Sequence, residues 1–358
     1  MSTSDPMAGD GALGRLLDAA RRDVERGRIP ACQVAVARDG EILAFETLGD
    51  ATNDTRFSIF SATKPIVASA VWALLGEGSL ELTRPVRDWI PEFATNGKDA
   101  VTLEQVLLHT AGFPAAPMAP DEGTDRRRRR ERFAQWRLDW EPGTRFEYHA
   151  GSAHWVLADL IESTSGLDFR DFIEQRVCRP LGLPRVLGIP AADQRGIAEL
   201  VPVGDASAER DEHVRMFNDP DVRAAGVPGG GAIMTAADLA RFYQALLHDP
   251  VGVWDPTVLA DATGNVRCTF TEPMFDVAVN RTIGLVVAGD DGKHVLRYAG
   301  FGEGCSPSSF GHAGAHMQIA WADPASGLSF AYLTNGLDGD QLREGARGVR
   351  LAGLAATV

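Results

Sequence analysis

Residues 57–78 read FSIFSATKPIVASAVWALLGEG. From Ser61 to Gly76 the run is apolar enough for a buried helix, and Gly78 marks its exit. Ser61 stands at the start of that helix, where backbone N–H groups lack intrahelical partners and the dipole end is positive. Lys64 follows three positions later, on the same face. A serine placed this way offers a nucleophile and half of an oxyanion hole in one residue. The pattern is specific here: 15 Ser and three Lys among 358 residues give ~0.13 chance Ser-x-x-Lys matches. Of the 35 basic residues, 32 are Arg, which stays protonated; a lysine can become a base once burial shifts it.

On the N-terminal side of this helix, residues 11–27 have the spacing of an amphipathic helix, with Leu13, Leu16, Leu17 and Val24 on one face. Residues 32–38 and 41–48 read as strands joined at Asp39-Gly40, a strong hairpin signal. The middle of the chain changes character. Helical patterns at 102–109, 152–165, 168–177 and 235–248 alternate with Pro/Gly-rich loops. Thr102 with Gln105, and Thr235 with Asp238, have capping-box spacing. Gly229-Gly230-Gly231 reads as a turn rather than a phosphate cradle. Strand patterns return at 282–287, 294–298, 314–321 and 328–333, with hairpin turns expected at 290–292 and 323–327 and a last helix at 339–354.

This order predicts an α+β fold: one antiparallel sheet built from both chain ends, flanked by terminal helices, with an all-helical domain inserted. The expected division is an α/β domain from residues 1–75 and 275–358 and a mainly helical domain from 76–274, the active site lying at their interface.

Composition narrows the function. The formal charge of −14 argues against a nucleic-acid partner and against docking on anionic lipid. The RRRRR run before Glu131 is expected to be a solvated helix face. No apolar stretch is long enough to span a membrane, and the first 20 residues do not read as a secretory signal. Cys32, Cys178, Cys268 and Cys305 are far apart and lack metal-type spacing, so free, mostly buried thiols in a reducing cytoplasm are expected. Nothing in the sequence implies a metal or cofactor: there is no HExxH or GxxxxGK[ST]. GxSxG is also absent, which excludes the α/β-hydrolase elbow.

Ser61 needs a base, and a lysine–tyrosine pair that shares protons is one solution. Of the four tyrosines, Tyr148 follows Pro142-Gly143-Thr144 in a loop just before the 152–165 helix, a favourable place for a catalytic residue. Tyr243 and Tyr332 read as core. His154 and His316 are expected to be structural, with His316 within reach of the pocket, whose walls are expected from residues 113–132 and 216–231.

Ser61-x-x-Lys64, Pro-Gly-Thr-x-Phe-x-Tyr148 and Gly311-His312-Ala313-Gly314, in this order, resemble the serine β-lactamase-like superfamily, in particular class C β-lactamases and the carboxylesterases sharing their fold. LLHTAGFP (107–114), SAHWVLADLIESTSG (152–166), RPLGL (179–183) and GGGAIMTAADLARF (229–242) extend the resemblance over residues 11–336. It implies that Ser61 is the acyl-accepting nucleophile and that Lys64 and Tyr148 handle its proton. It also implies that His312, Ala313 and Gly314 line the site on an edge strand, and that the N–H of Ala315 joins that of Ser61 as the oxyanion hole. Small residues there let a substrate approach the backbone. Two positions depart from the pattern. Tyr148-His149-Ala150 replaces Tyr-x-Asn, so the substrate-facing amide is lost at Ala150. His312 stands where Lys-Thr-Gly would supply a fixed cation. Both changes point to small neutral esters or amides. An acyltransferase using the same acyl-enzyme, a β-lactamase or D-amino-acid peptidase, and a non-catalytic binding protein on this scaffold are the competing expectations.

Overall fold

The computed structural model describes residues 7–272, 275–297 and 299–358, with side chains from residue 11 onward. Asp39 and Gly40 both take positive φ, +53° and +85°, the geometry of the tight hairpin their sequence asks for. The strands they join, Ala31–Arg38 and Glu41–Gly49, pair antiparallel with a bulge between Val36 and Ala37. Ala31–Arg38 then pairs antiparallel with Leu328–Thr334, near the other end of the chain, setting Ala35 opposite Ala331 and Val36 opposite Phe330. The six-stranded sheet continues through Ile319–Asp323, Phe310–Gly311 and Val286–Val287. Both chain ends therefore build one antiparallel sheet, as expected.

Period-2 alternation splits the sheet between two cores. Val34, Val36, Trp321, Phe330 and Tyr332 pack with Leu16, Ala19 and Ala20 of the helix Met7–Glu25 and Leu351 and Ala352 of the helix Gln341–Ala355. Ala35, Ala37, Ala320 and Ala331 face the other way, toward the helix Ala236–His248 and the helix Lys64–Gly76. Small residues there let the helices come close. Gln244 fastens Ala236–His248 to the sheet by donating to Ala37 O, Gly327 O and Ser329 Oγ. The helix Lys64–Gly76 is buried on all sides, which explains its unbroken apolar sequence. It lies against the helix Ser152–Ser165, and Trp72 Nε1 donates to Ile283 O.

Several local expectations are corrected. Of residues 282–287 only Val286–Val287 is strand. Residues His294–Leu296 form a 3₁₀ turn rather than a strand, because Arg297 turns its side chain back onto Ala278 O, Ala288 O and Asp291; Tyr298 lies outside the described residues. Residues 314–318 form a turn closed by Gly314 N to Gln318 O at 2.7 Å, and strand begins only at Ile319. The 168–177 helix ends at Ile173 and continues as a π turn, Glu174–Cys178. At Thr235 the cap is one-sided: Asp238 N donates to Thr235 Oγ1, and the hydroxyl donates to the Asp238 carboxylate. The arginine run is a solvated helix face only in part. It forms the helix Arg126–Gln135, in which Arg126 and Arg127 are exposed while Arg129 is wholly buried and donates to Asp159, Glu162 and Gly123 O. Asp159 and Glu162 lie in an apolar helix and supply the counter-charge. Among the described residues no helix is long and apolar enough to cross a membrane. All four cysteines are free and buried.

Candidate active site

Ser61 sits in a 3₁₀ turn, Phe60–Thr63, that leads directly into the helix Lys64–Gly76. The turn is fixed from the side by the segment after the triple glycine: Ile59 N donates to Ala232 O, and Ala232 N donates to Thr63 Oγ1. One helical turn on, the Lys64 amine is buried. Its Nζ is 2.8 Å from Ala150 O, 2.7 Å from Gly229 O and 3.1 Å from Ser61 Oγ. The two carbonyls can only accept, so they take two N–H bonds. What the amine turns to Ser61 then depends on its charge. Burial first, and the charge of Arg281 second, hold Lys64 well below the ordinary lysine range. Here the amine donates toward Ser61 Oγ; in its neutral form, with two hydrogens engaged by the carbonyls, it would turn its lone pair to the serine proton instead.

Tyr148 completes the group. Its ring centroid is 4.9 Å from Lys64 Nζ and 5.2 Å from the guanidinium of Arg281. Burial pushes the phenol up to about 12, against the pull of Arg281 and of a hydrogen bond with Ser61. The serine hydroxyl, the lysine amine and the distant phenol are thus brought together, and burial favours the neutral forms of the last two.

The third motif lies beside them with one correction. It is not an edge strand, because Val286–Val287 pairs outside Phe310–Gly311. His312 and Gly314 follow that strand, bonded inward from His312 N to Ala320 O and from Gly314 N to Gln318 O. His312 is buried, 6.0 Å from the Tyr148 ring, with Nδ1 2.7 Å from Ala313 O. Burial, Arg281 and Lys64 push it well below the usual histidine range, so it brings no charge. Ala313 is buried as well, which leaves half-exposed Ala315 as the part of this segment open to a substrate. A Cβ on Gly314 would lie 2.1 Å from Ile59 O, so glycine is what lets the Ala315 turn approach the Ser61 turn. Ala150 contributes its carbonyl to Lys64 and presents an exposed methyl.

Four residues assigned no role at the site from the sequence lie in it: Arg281, His109, His149 and Gly229. Arg281 is buried over the faces of Tyr148 and Phe146, held through backbone pairing to Cys268 and Val286. His109, of LLHTAGFP, lies 4.8 Å from the Tyr148 ring and accepts from His149 N at 3.1 Å. His149 in turn accepts from Phe113 N, which puts Phe113 behind the tyrosine loop rather than in a pocket wall. Gly229 belongs to the glycine turn already visible in the sequence, and a Cβ there would lie 2.8 Å from Ala150 O. Among the described residues no group of His, Cys, Asp and Glu is arranged to hold a metal ion.

A family model described as Beta-lactamase matches residues 16–354. The chain belongs to the β-lactamase family. Within it, the chain is 30% identical over 279 residues to esterase EstB of Burkholderia gladioli, covering 66% of this chain and 69% of that one. It is 26% identical over 317 residues to the esterase/β-lactamase LipL of Mycobacterium tuberculosis, covering 79% and 70%. A crystal structure of a family VIII carboxylesterase superposes with a TM-score of 0.79 at 25% identity, over 98% of each chain. The mixed helix-and-sheet architecture is therefore that of this β-lactamase-family scaffold.

Proposed function

We propose that this protein is a serine hydrolase that cleaves small, neutral carboxylic esters through an acyl-Ser61 intermediate. The observation that carries the reading is the Lys64 amine, bonded to two carbonyls and left with one direction, toward Ser61 Oγ. Ser61 Oγ attacks the ester carbonyl while its proton passes to Lys64. The N–H groups of Ser61 and Ala315 receive the developing oxyanion. As the C–O bond to the alcohol breaks, Tyr148 gives its proton to the leaving oxygen and recovers one from Lys64. Water then repeats the sequence in reverse and releases the acid. Ser61 and Ala315 come from residues 1–75 and 275–358, Tyr148 and Gly229 from the middle of the chain, which supports a site between a sheet unit and a mainly helical one; the helix Ala236–His248 goes with the sheet unit.

The preference for neutral substrates follows from Ala150, whose side chain cannot hydrogen-bond a substrate amide, and from an uncharged His312, which brings no cation for a substrate carboxylate. The esterase names of EstB and LipL support it. The unpaired, buried thiols support a reducing compartment. The test is hydrolysis of a short p-nitrophenyl ester with intact-mass detection of the acyl adduct. Ser61→Ala is expected to lose both turnover and adduct with an unchanged thermal midpoint; turnover retained in that variant would refute the reading.

A further inference from the structure

Beside the oxyanion turn lies a second chain of polar groups that the mechanism above does not use. Glu344, in the C-terminal helix, has Oε2 3.2 Å from His316 Nδ1. His316 Nε2 is 3.0 Å from Nδ1 of His213, in the helix Ala208–Asn218. The chain has a direction. Glu344 Oε1 already accepts from Asp338 N, and the side chain is buried with Arg347 3.8 Å away, so it is read as a carboxylate. A carboxylate only accepts, so His316 carries a hydrogen on Nδ1. With a neutral imidazole, Nε2 then holds a lone pair and His213 donates to it from Nδ1.

His316 directly follows Ala315, and its backbone is in the left-handed region, φ +58°, as is that of Met317, φ +55°. Two consecutive non-glycine residues there are disfavoured and need an external hold. The His316 ring supplies it, bonded at both nitrogens and set edge-on to Phe60, the neighbour of Ser61, at 5.7 Å. His213 packs on the same Phe60 ring at 5.7 Å, and Phe217, one helical turn on, at 4.7 Å. Phe60, Phe217 and Ala315 belong to one apolar cluster.

We infer that Glu344, His316 and His213 form a one-directional hydrogen-bond relay that fixes the turn presenting the Ala315 N–H, which makes His316 a positioning residue of acyl transfer. This rests on the acyl-Ser61 reading. The relay ties the C-terminal helix to the 208–218 helix across the turn, so the oxyanion donor is held from both sides.

Two measurements test it on the full-length protein. In ¹⁵N-resolved NMR of the histidine rings, wild type should show protonated Nδ1 at both His213 and His316. Glu344→Gln keeps an oxygen for Asp338 N and turns an NH₂ to His316, so both rings should switch to protonated Nε2. Other wild-type tautomers, or no switch in the variant, overturn the relay. His316→Asn keeps a residue that tolerates positive φ but removes the relay. It should lower kcat for ester hydrolysis about tenfold or more with KM within about twofold, since a displaced oxyanion donor acts on the transition state. Retained kcat overturns the positioning role. Ser61→Ala, assayed alongside, separates the failures: hydrolysis independent of Ser61 sinks the acyl-enzyme reading, whereas Ser61-dependent hydrolysis with full activity in His316→Asn sinks only the inference.

Discussion

Replacing Arg281 by methionine removes a permanent charge from beside the proton-handling pair and keeps much of the side-chain volume. Lys64 Nζ and the guanidinium lie 4.9 and 5.2 Å from the same ring centroid, so no more than about 10 Å separates them. At an effective dielectric of about 20, two unit charges at that distance repel by about 1.7 kcal/mol, or about 1.2 pH units. The sign follows from the linkage. On the proposed mechanism catalysis needs the amine unprotonated, and Arg281 disfavours its protonation, so Arg281 should extend activity toward acid. It also lowers the phenol, so its removal raises both members of the pair. The acid limb of kcat/KM should therefore move up by about one unit in Arg281→Met, with a plateau that is nearly unchanged. At a pH on that limb the variant should be up to about tenfold slower. Arg281→Lys keeps the charge and should keep the wild-type midpoint. Product is best quantified by chromatography, so that the readout does not itself titrate. Superimposable profiles for wild type and Arg281→Met would refute the electrostatic role.

Gly314→Ala places a methyl 2.1 Å from Ile59 O and 3.0 Å from Gln318 Cβ, so the Ala315 turn must retreat from Ser61. We expect at least a tenfold loss of kcat and about 1–3 kcal/mol of destabilisation in urea melts. Arg129→Ala leaves Asp159 paired chiefly with Arg130 and Glu162 with only Arg126 at 3.6 Å, and should cost about 3 kcal/mol of stability. Exposed Arg127, two residues away with an i,i+4 partner in Glu131, should cost about 0.5 kcal/mol or less on replacement by alanine.

What the sequence revealed and what it hid divide along physical lines. The terminal hairpin and the strand Leu328–Thr334 were legible because they are long enough to carry a period and end in turn-forming residues. Val286–Val287 and Phe310–Gly311 are two residues each, so their strand character comes from neighbours rather than from any pattern of their own. Residues 294–296 have apolar content suited to a strand, but Arg297 takes up nearby carbonyls with its side chain and the backbone turns. Ser61 and Lys64 were legible because their relation is local, one helical turn. Arg281 was not. It is one of 32 arginines, and its place over Tyr148 depends on backbone pairing to Cys268 and Val286. The arginine run misled for a related reason: the acids that neutralise Arg129 lie 30 and 33 residues away.

The division of cations around the tyrosine has a chemical logic. Arg281 stays charged at every relevant pH, so it biases Lys64 and Tyr148 without exchanging protons with them. Histidines 109, 149, 154 and 312 are all pushed down, chiefly by burial, and are neutral while the pair works. A lysine at position 312 would have put a second titratable amine near Tyr148, competing with Lys64 for the proton taken from Ser61. With a neutral imidazole there, the proton has one amine and one phenol to visit. The same substitution leaves no ammonium at that position for a substrate carboxylate, so the proposed proton path and the proposed preference for uncharged substrates would both rest on one residue. On this argument His312→Lys should blunt the acid limb of ester hydrolysis, because two amines would then share one titration.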